Sequence, residues 1–276
     1  MKKRFNLVVL VASLAFSTAI FSQDFQGIVY YEYKKDMAGK VTFQTSNGSE
    51  NLNENMMQKI NKSFEKTFEL RFNQTEAIYQ EFQKVTMKNG SANAAVDKLY
   101  SNVSKKVLIE EVENEWDSKK YLVRDSLSRY NWTLENSTKK IGDYVCYKAI
   151  SVVKVAEKDL ADYEDQRLKN SLKSISLLTL EPPKDRIIIA WYAPAILVNH
   201  GPEKYQGLPG LILEVNDDGA LWSCSKLILN PLKKTIVKIP TKGKFILKKE
   251  YDILVEKLLE TIKDDDGVIQ LQSQED

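Results

Sequence analysis

Arg186-Ile187-Ile188-Ile189-Ala190-Trp191-Tyr192 leads into Ala193-Pro194-Ala195-Ile196, His200-Gly201-Pro202 and Tyr205-Gln206-Gly207-Leu208-Pro209-Gly210-Leu211-Ile212-Leu213, and the fold is read from this stretch. It opens as an apolar run rich in β-branched and aromatic residues, the composition of a strand. The run does not alternate, which predicts a central strand buried on both faces. Pro194 breaks it, because proline has no backbone N–H to give to a ladder. The chain then crosses a loop and turns at Gly207-Leu208-Pro209-Gly210. There Pro209 fixes its own φ and Gly210 can take a positive φ beside it. A new strand begins at Leu211, and Asn216-Asp217-Asp218-Gly219 forms a hairpin turn into the next.

Outward from this corner the pattern is strand after short strand. Leu211–Val215, Leu221–Leu229 and Thr235–Ile239 follow downstream. Upstream, Phe25, Gly27, Val29, Tyr31 and Tyr33 share one parity, as do Phe68, Leu70 and Phe72. Asn73-Gln74-Thr75 turns the latter strand into Ile78–Phe82, which predicts a hairpin. Lys106–Glu111, Lys120–Asp125, Tyr130–Leu134 and Tyr144–Val153 read as further strands, and Met87–Asp97 as a loop. Helices are few. Asn47-Gly48-Ser49 can cap one whose stripe is Leu52, Met56, Ile60 and Phe64, four residues apart. A second, near 248–263, has the apolar face Tyr251, Leu254, Val255, Leu258, Leu259 and Ile262. Residues 156–182 are highly charged and read as a surface helix or insertion ended by Glu181-Pro182-Pro183. The expected class is α+β: a mainly antiparallel sheet with a few amphipathic helices, no βαβ alternation and no fixed repeat.

The N-terminus reads as an export signal over residues 1–22. Lys2, Lys3 and Arg4 precede an apolar run from Leu7 to Ile20 that is shorter than the roughly 20 residues of a stable membrane span. Of the 40 Lys and Arg, three lie in that signal, and the remaining 37 face 38 Asp and Glu. So balanced a chain gives no electrostatic case for nucleic acid as a partner. No later apolar run reaches spanning length. Residues 23–265 are expected to form one β-rich domain, large enough for a real core, and 266–276 a disordered tail. In an oxidising compartment the two cysteines, Cys146 and Cys224, predict a disulfide. It would close a loop of about 78 residues and contribute ~4 kcal/mol in the chain-entropy model.

The corner Gly207-Leu208-Pro209-Gly210-Leu211-Ile212 closely resembles the signature of the GLPGLI family of exported proteins, known mainly from one phylum of Gram-negative bacteria. The resemblance extends to Gly201-Pro202, Ala190-Trp191-Tyr192, Trp132 and Gly142-Asp143-Tyr144-Val145-Cys146-Tyr147-Lys148-Ala149. The charged insertion at 156–182 is longer than the family's usual link. The resemblance implies a periplasmic or secreted location and a mainly antiparallel sheet, by analogy a curved half-barrel similar to periplasmic lipoprotein carriers. It brings no agreed activity or catalytic residues.

Candidate site residues follow from chemistry. His200, the only histidine, is the one candidate general base. No Gly-x-Ser-x-Gly elbow accompanies it, and one histidine cannot supply a multi-histidine metal set. There is no C-x-x-C pair for redox work. Asp217-Asp218 and Asp264–Asp266 lack the alternation of an EF-hand loop and read as solvated turns. No cofactor or metal is expected. Trp132, Trp191, Tyr192, Tyr205 and Trp222, with His200, are the candidates for lining an apolar cleft. The leading expectation is an exported, non-catalytic protein that binds an apolar small molecule or a peptide. The alternatives are an assembly factor for another envelope protein, or a hydrolase using His200.

Overall fold

The computed structural model describes residues 25–35, 42–45, 48–51, 54–82, 98–114, 119–171 and 182–262. The strands, in chain order, are β1 (Gln26–Lys35), β2 (Thr42–Thr45), β3 (Gly48–Asn51), β4 (Lys66–Asn73), β5 (Glu76–Glu81), β6 (Lys98–Asn102) and β7 (Val107–Glu113). They continue with β8 (Lys120–Ser126), β9 (Thr133–Ile141), β10 (Tyr144–Val153), β11 (Arg186–Ala193), β12 (Leu211–Asp217), β13 (Ala220–Leu229) and β14 (Lys244–Leu247). Three helices, α1 (Glu54–Ser63), α2 (Glu157–Ser171) and α3 (Lys248–Ile262), complete the described elements. The class is α+β, and the expected mainly antiparallel sheet is present.

Twelve strands form one open sheet in the order β14-β8-β7-β6-β5-β4-β1-β13-β12-β11-β10-β9, while β2 and β3 pair apart as a hairpin. It does not close into a barrel. Each described neighbouring pair is antiparallel except β14 with β8. The topology explains why β1 is central. Strands β4 to β8 meander outward from one of its edges, and β9 to β13 wind back until β13 pairs with the other.

The shared parity of β1 becomes a row of core residues. Val29 lies opposite Leu70, Leu70 opposite Tyr79, and Tyr79 opposite Leu99, all buried on one face. On the reverse face the Glu69 carboxylate is buried, and it accepts hydrogen bonds from Tyr30 Oη at 3.0 Å and Arg71 Nε at 2.9 Å. A buried charge so satisfied avoids most of its desolvation cost.

Several expectations change. β11 is not buried on both faces: Ile188 and Ala190 are fully buried while Ile187 is 56% exposed, so the apolar run behaves as an alternating strand. Gly48 opens β3 rather than capping a helix, and α1 begins at Glu54. Thr235–Ile239 is not a strand. The 231–243 segment crosses the reverse face, where Val237 packs on Tyr100, Ile109 and Leu122, and delivers β14 parallel to β8. A parallel neighbour requires such a crossover. The strand read at Tyr130–Leu134 starts at Thr133, and β6 was not read at all. The N-terminal signal, the Met87–Asp97 loop, residues 172–181 of the charged insertion, Asp264–Asp266 and the C-terminal tail lie outside the described residues. So does Leu52 of the stripe assigned to the first helix, whose Met56 and Ile60 fall within α1. Among the described residues no helix is long and apolar enough to cross a membrane.

The expected disulfide is absent: Cys146 on β10 and Cys224 on β13 are free thiols. Two strands lie between theirs. Three inter-strand steps of about 4.8 Å exceed the roughly 4.4–6.8 Å Cα separation a disulfide spans. Burial pushes both thiols up to about 11. Ellman titration of the denatured, unreduced chain should therefore find both thiols. In the native state at pH 8 they should react at least about a hundredfold more slowly than in the unfolded chain. A denatured titration near zero would restore the disulfide.

Candidate functional site

The loop between β11 and β12, residues 194–210, is a folded cover rather than a free connection. Its neck is closed by Leu211 N–H donating to Ile196 O at 3.1 Å and Ile212 N–H to His200 O at 3.0 Å. Gly207 N–H reaches Asn199 O at 3.1 Å within it. Ile196, Val198, Tyr205 and Leu208 are buried in the main core, so the loop lays an apolar underside on the sheet. Gly210 is required sterically: a Cβ there would stand 2.4 Å from Ala193 O and 2.8 Å from the Pro194 Cα. Gly207 takes φ +93 with open space around it, a conformational demand only.

Polar side chains pin this cover. Trp132 Nε1–H donates to Gln206 O at 3.0 Å, and Gln206 Nε2–H to Ser128 O at 2.6 Å. Tyr31 O–H donates to Ile212 O at 2.6 Å. Tyr205 O–H donates to Asp217 Oδ2 at 2.7 Å, and Arg186 Nε stands 3.2 Å from Asp217 Oδ1. Asp217, read from sequence as part of a solvated turn, is only 5% exposed and anchors the loop. The turn itself is as expected, with Asp218 and Gly219 at positive φ between β12 and β13.

His200 is one of these pins. It is 2% exposed, its Nε2 lies 3.0 Å from Asn73 O, and its ring is 5.9 Å from that of Phe72. Burial holds its imidazole down to about 4, so at neutral pH the ring is uncharged and Nε2–H donates to that carbonyl.

Beside the loop, on the same face of the sheet, opens a cleft of about 360 Å³. Tyr33, Phe68, Tyr79 and Trp222 line it, with Leu99 among them. Phe68 and Tyr79 stack at 4.9 Å, and Tyr33 and Trp222 meet at 4.9 Å. Tyr33–Phe68 (6.1 Å) joins these two pairs, and Trp222–Tyr205 (5.3 Å), Tyr205–Tyr130 (5.5 Å) and Tyr130–Trp132 (5.3 Å) carry the row on under the loop. The rim is charged. Lys66 pairs with Glu81 at 3.0 Å and Lys204 with Glu110 at 3.1 Å. Glu203, on the loop, contributes a carboxylate at φ +50. It reaches solvent yet is hemmed in by protein, and desolvation raises its carboxyl. Lys204 opposes this, and Glu110 and Asp217 add to it. Among the described residues no group of three or more His, Cys, Asp or Glu side chains is placed to hold a metal.

Residues 132–214 match the model of a family described as "Protein of unknown function (Porph_ging)". No curated protein matches the chain. Among solved structures it is similar to PNGF-II in the C2 and P21 space groups, with TM-scores of 0.48 and 0.46 at 13% and 14% identity over 85% of this chain. The chain spans about a third of the length of those chains, 33% and 34%.

Of the six residues expected to line a cleft, Trp222 does so. Tyr205 backs it, and Trp132 ends the same aromatic row. Tyr192 is buried beside Tyr147, and Trp191 sits on β11 with the Lys139 ammonium 4.5 Å from its ring centroid. Tyr33, Phe68, Tyr79 and Glu203 were not anticipated. The parity of Tyr33 with Tyr31, and of Phe68 with Phe72, was the available signal for two of them.

Two outcomes follow. Gly210→Ala should destabilise the chain by about 2 kcal/mol or more, because backbone must move. Gly207→Ala should cost only about 1 kcal/mol, the expense of a left-handed residue. Denaturant melts compare the pair. The depressed His200 also ties stability to pH. Its contribution is complete above the unfolded pKa near 6.5 and is lost as pH falls toward 4, by about 2 kcal/mol between pH 7 and pH 5. Melts at both pH values should show that loss in the parent and a smaller one in His200→Gln.

Proposed function

We propose that the chain is an exported, non-catalytic binding protein that holds an apolar ligand or a peptide in the aromatic cleft between its sheet and the 194–210 loop. The observation that carries the reading is the cleft: four aromatic rings and Leu99 around about 360 Å³, at the low end of the size range for small-molecule sites. The position of His200, shut in the core and committed to Asn73 O, supports binding over hydrolysis at that residue. The export half of the proposal rests on Lys2, Lys3, Arg4 and the short apolar run after them, with a periplasmic or secreted destination. We further propose GLPGLI membership. Trp132, Gly142–Ala149, Ala190–Tyr192, Gly201-Pro202 and Gly207–Ile212 all fall inside the 132–214 span of the family match.

The test is titration of the full chain with an environment-sensitive apolar dye. Saturable binding is expected in the parent. Glu110→Trp, which fills the rim without truncating the core, should reduce dye affinity by about tenfold or more, whereas Glu113→Trp, on an exposed end of β7, should not. Equal binding by all three chains would overturn the assignment of the cleft.

A further inference from the structure

Two charges at the cleft, Lys98 and Glu203, have no ion-pair partner among the described residues. Lys66 and Lys204 each have a carboxylate partner, and Lys98 lines clefts on both faces of the sheet at the start of β6. Glu203 is the carboxylate of the two. Among the described residues no side chain hydrogen-bonds to it or forms an ion pair with it, although it lines the cleft with Tyr33, Phe68, Tyr79 and Trp222. Burial raises the hydroxyls of Tyr33, Tyr79, Tyr130 and Tyr205, and in each of the four the charge of Glu203 raises them further. Its backbone is held at φ +50, a left-handed conformation that costs a residue with a Cβ about 1–2 kcal/mol.

An accessible carboxylate beside aromatic rings is complementary to an organic cation. The ring faces attract a cation through their quadrupoles, and alkylated nitrogen also has apolar surface to bury against them. The carboxylate supplies the opposite charge in a place where desolvation strengthens the attraction. A neutral apolar ligand would leave the Glu203 carboxylate to be desolvated for nothing, and an anionic one would meet its repulsion even though Lys66, Lys98 and Lys204 also line the cleft.

Resting on the cleft reading above, we propose that the ligand carries an ammonium group, alkylated or at the end of a side chain, seated against the half-exposed rings of Tyr33 and Phe68 with Glu203 as its counter-ion. The probes are choline and its uncharged carbon isostere, 3,3-dimethylbutan-1-ol, which share a shape and differ in charge. Calorimetric titration of the full chain should give choline an affinity about tenfold or more above that of the isostere. Glu203→Gln should erase that preference, and Glu203→Asp should keep part of it. Equal affinity for the two probes, no choline binding, or a preference that survives in Glu203→Gln would each overturn the cation assignment. The dye titration separates the two ideas. If the dye still binds and Glu110→Trp blocks it, the cleft stands and only its ligand class falls.

Discussion

A sheet needs something to lie on. The described helices pack little against this one, so burial of its apolar face depends on irregular chain. The 194–210 loop does this work for the half of the sheet around β1, β12 and β13. It can do so only because its own backbone is satisfied, through the bonds to Ile196 O, His200 O and Asn199 O. Gly210 is what permits it. Without a Cβ, the chain presses against the Ala193 carbonyl and re-enters the sheet beside the strand it left. Leu208 is driven into the core while Pro209 stays outside, so the corner works as a plug with a rigid rim.

That arrangement makes stability and recognition share one element. The face of the loop toward the sheet is closed by Tyr205, Leu208 and His200, and its side presents Glu203 and Lys204 to the cleft. The aromatic row runs continuously from one to the other, since Trp222 packs on Tyr205 behind it and on Tyr33 within the cleft. A change that loosened the loop would move the rim of the cleft with it.

The strands were legible where one face is buried and period-two alternation survives, as in β1, β4 and β10. Both hairpin corners, at Asn73 and at Asp218, were legible because their turn chemistry is local. What failed was whatever depends on a distant partner. β6 is five residues whose burial is set by β5 and β7. The 231–243 crossover has strand-like composition, but its path is dictated by where β14 must pair. The free cysteines fall in the same class, since composition says nothing of the two strands between them. For the site, the aromatic residues near the signature were visible, but their directions were not. Trp132, Trp191 and Trp222 look alike in sequence, yet one pins the loop, one lies under Lys139 and one walls the cleft.

Glu203 shows how the site and the fold make different demands. Four non-glycine residues have positive φ among those described: Lys106, Glu203, Asp218 and Asn230. Asp218 and Asn230 belong to the types that tolerate this conformation, because a short polar side chain can bond its own backbone. Glu203 is not of that kind, and its carboxyl is raised by desolvation as well. Glycine at this position would relieve the backbone, and glutamine would relieve the charge. A residue that costs stability in its backbone and in its solvation, at the edge of a cleft it helps to line, is better explained by what its carboxylate meets than by anything it contributes to folding.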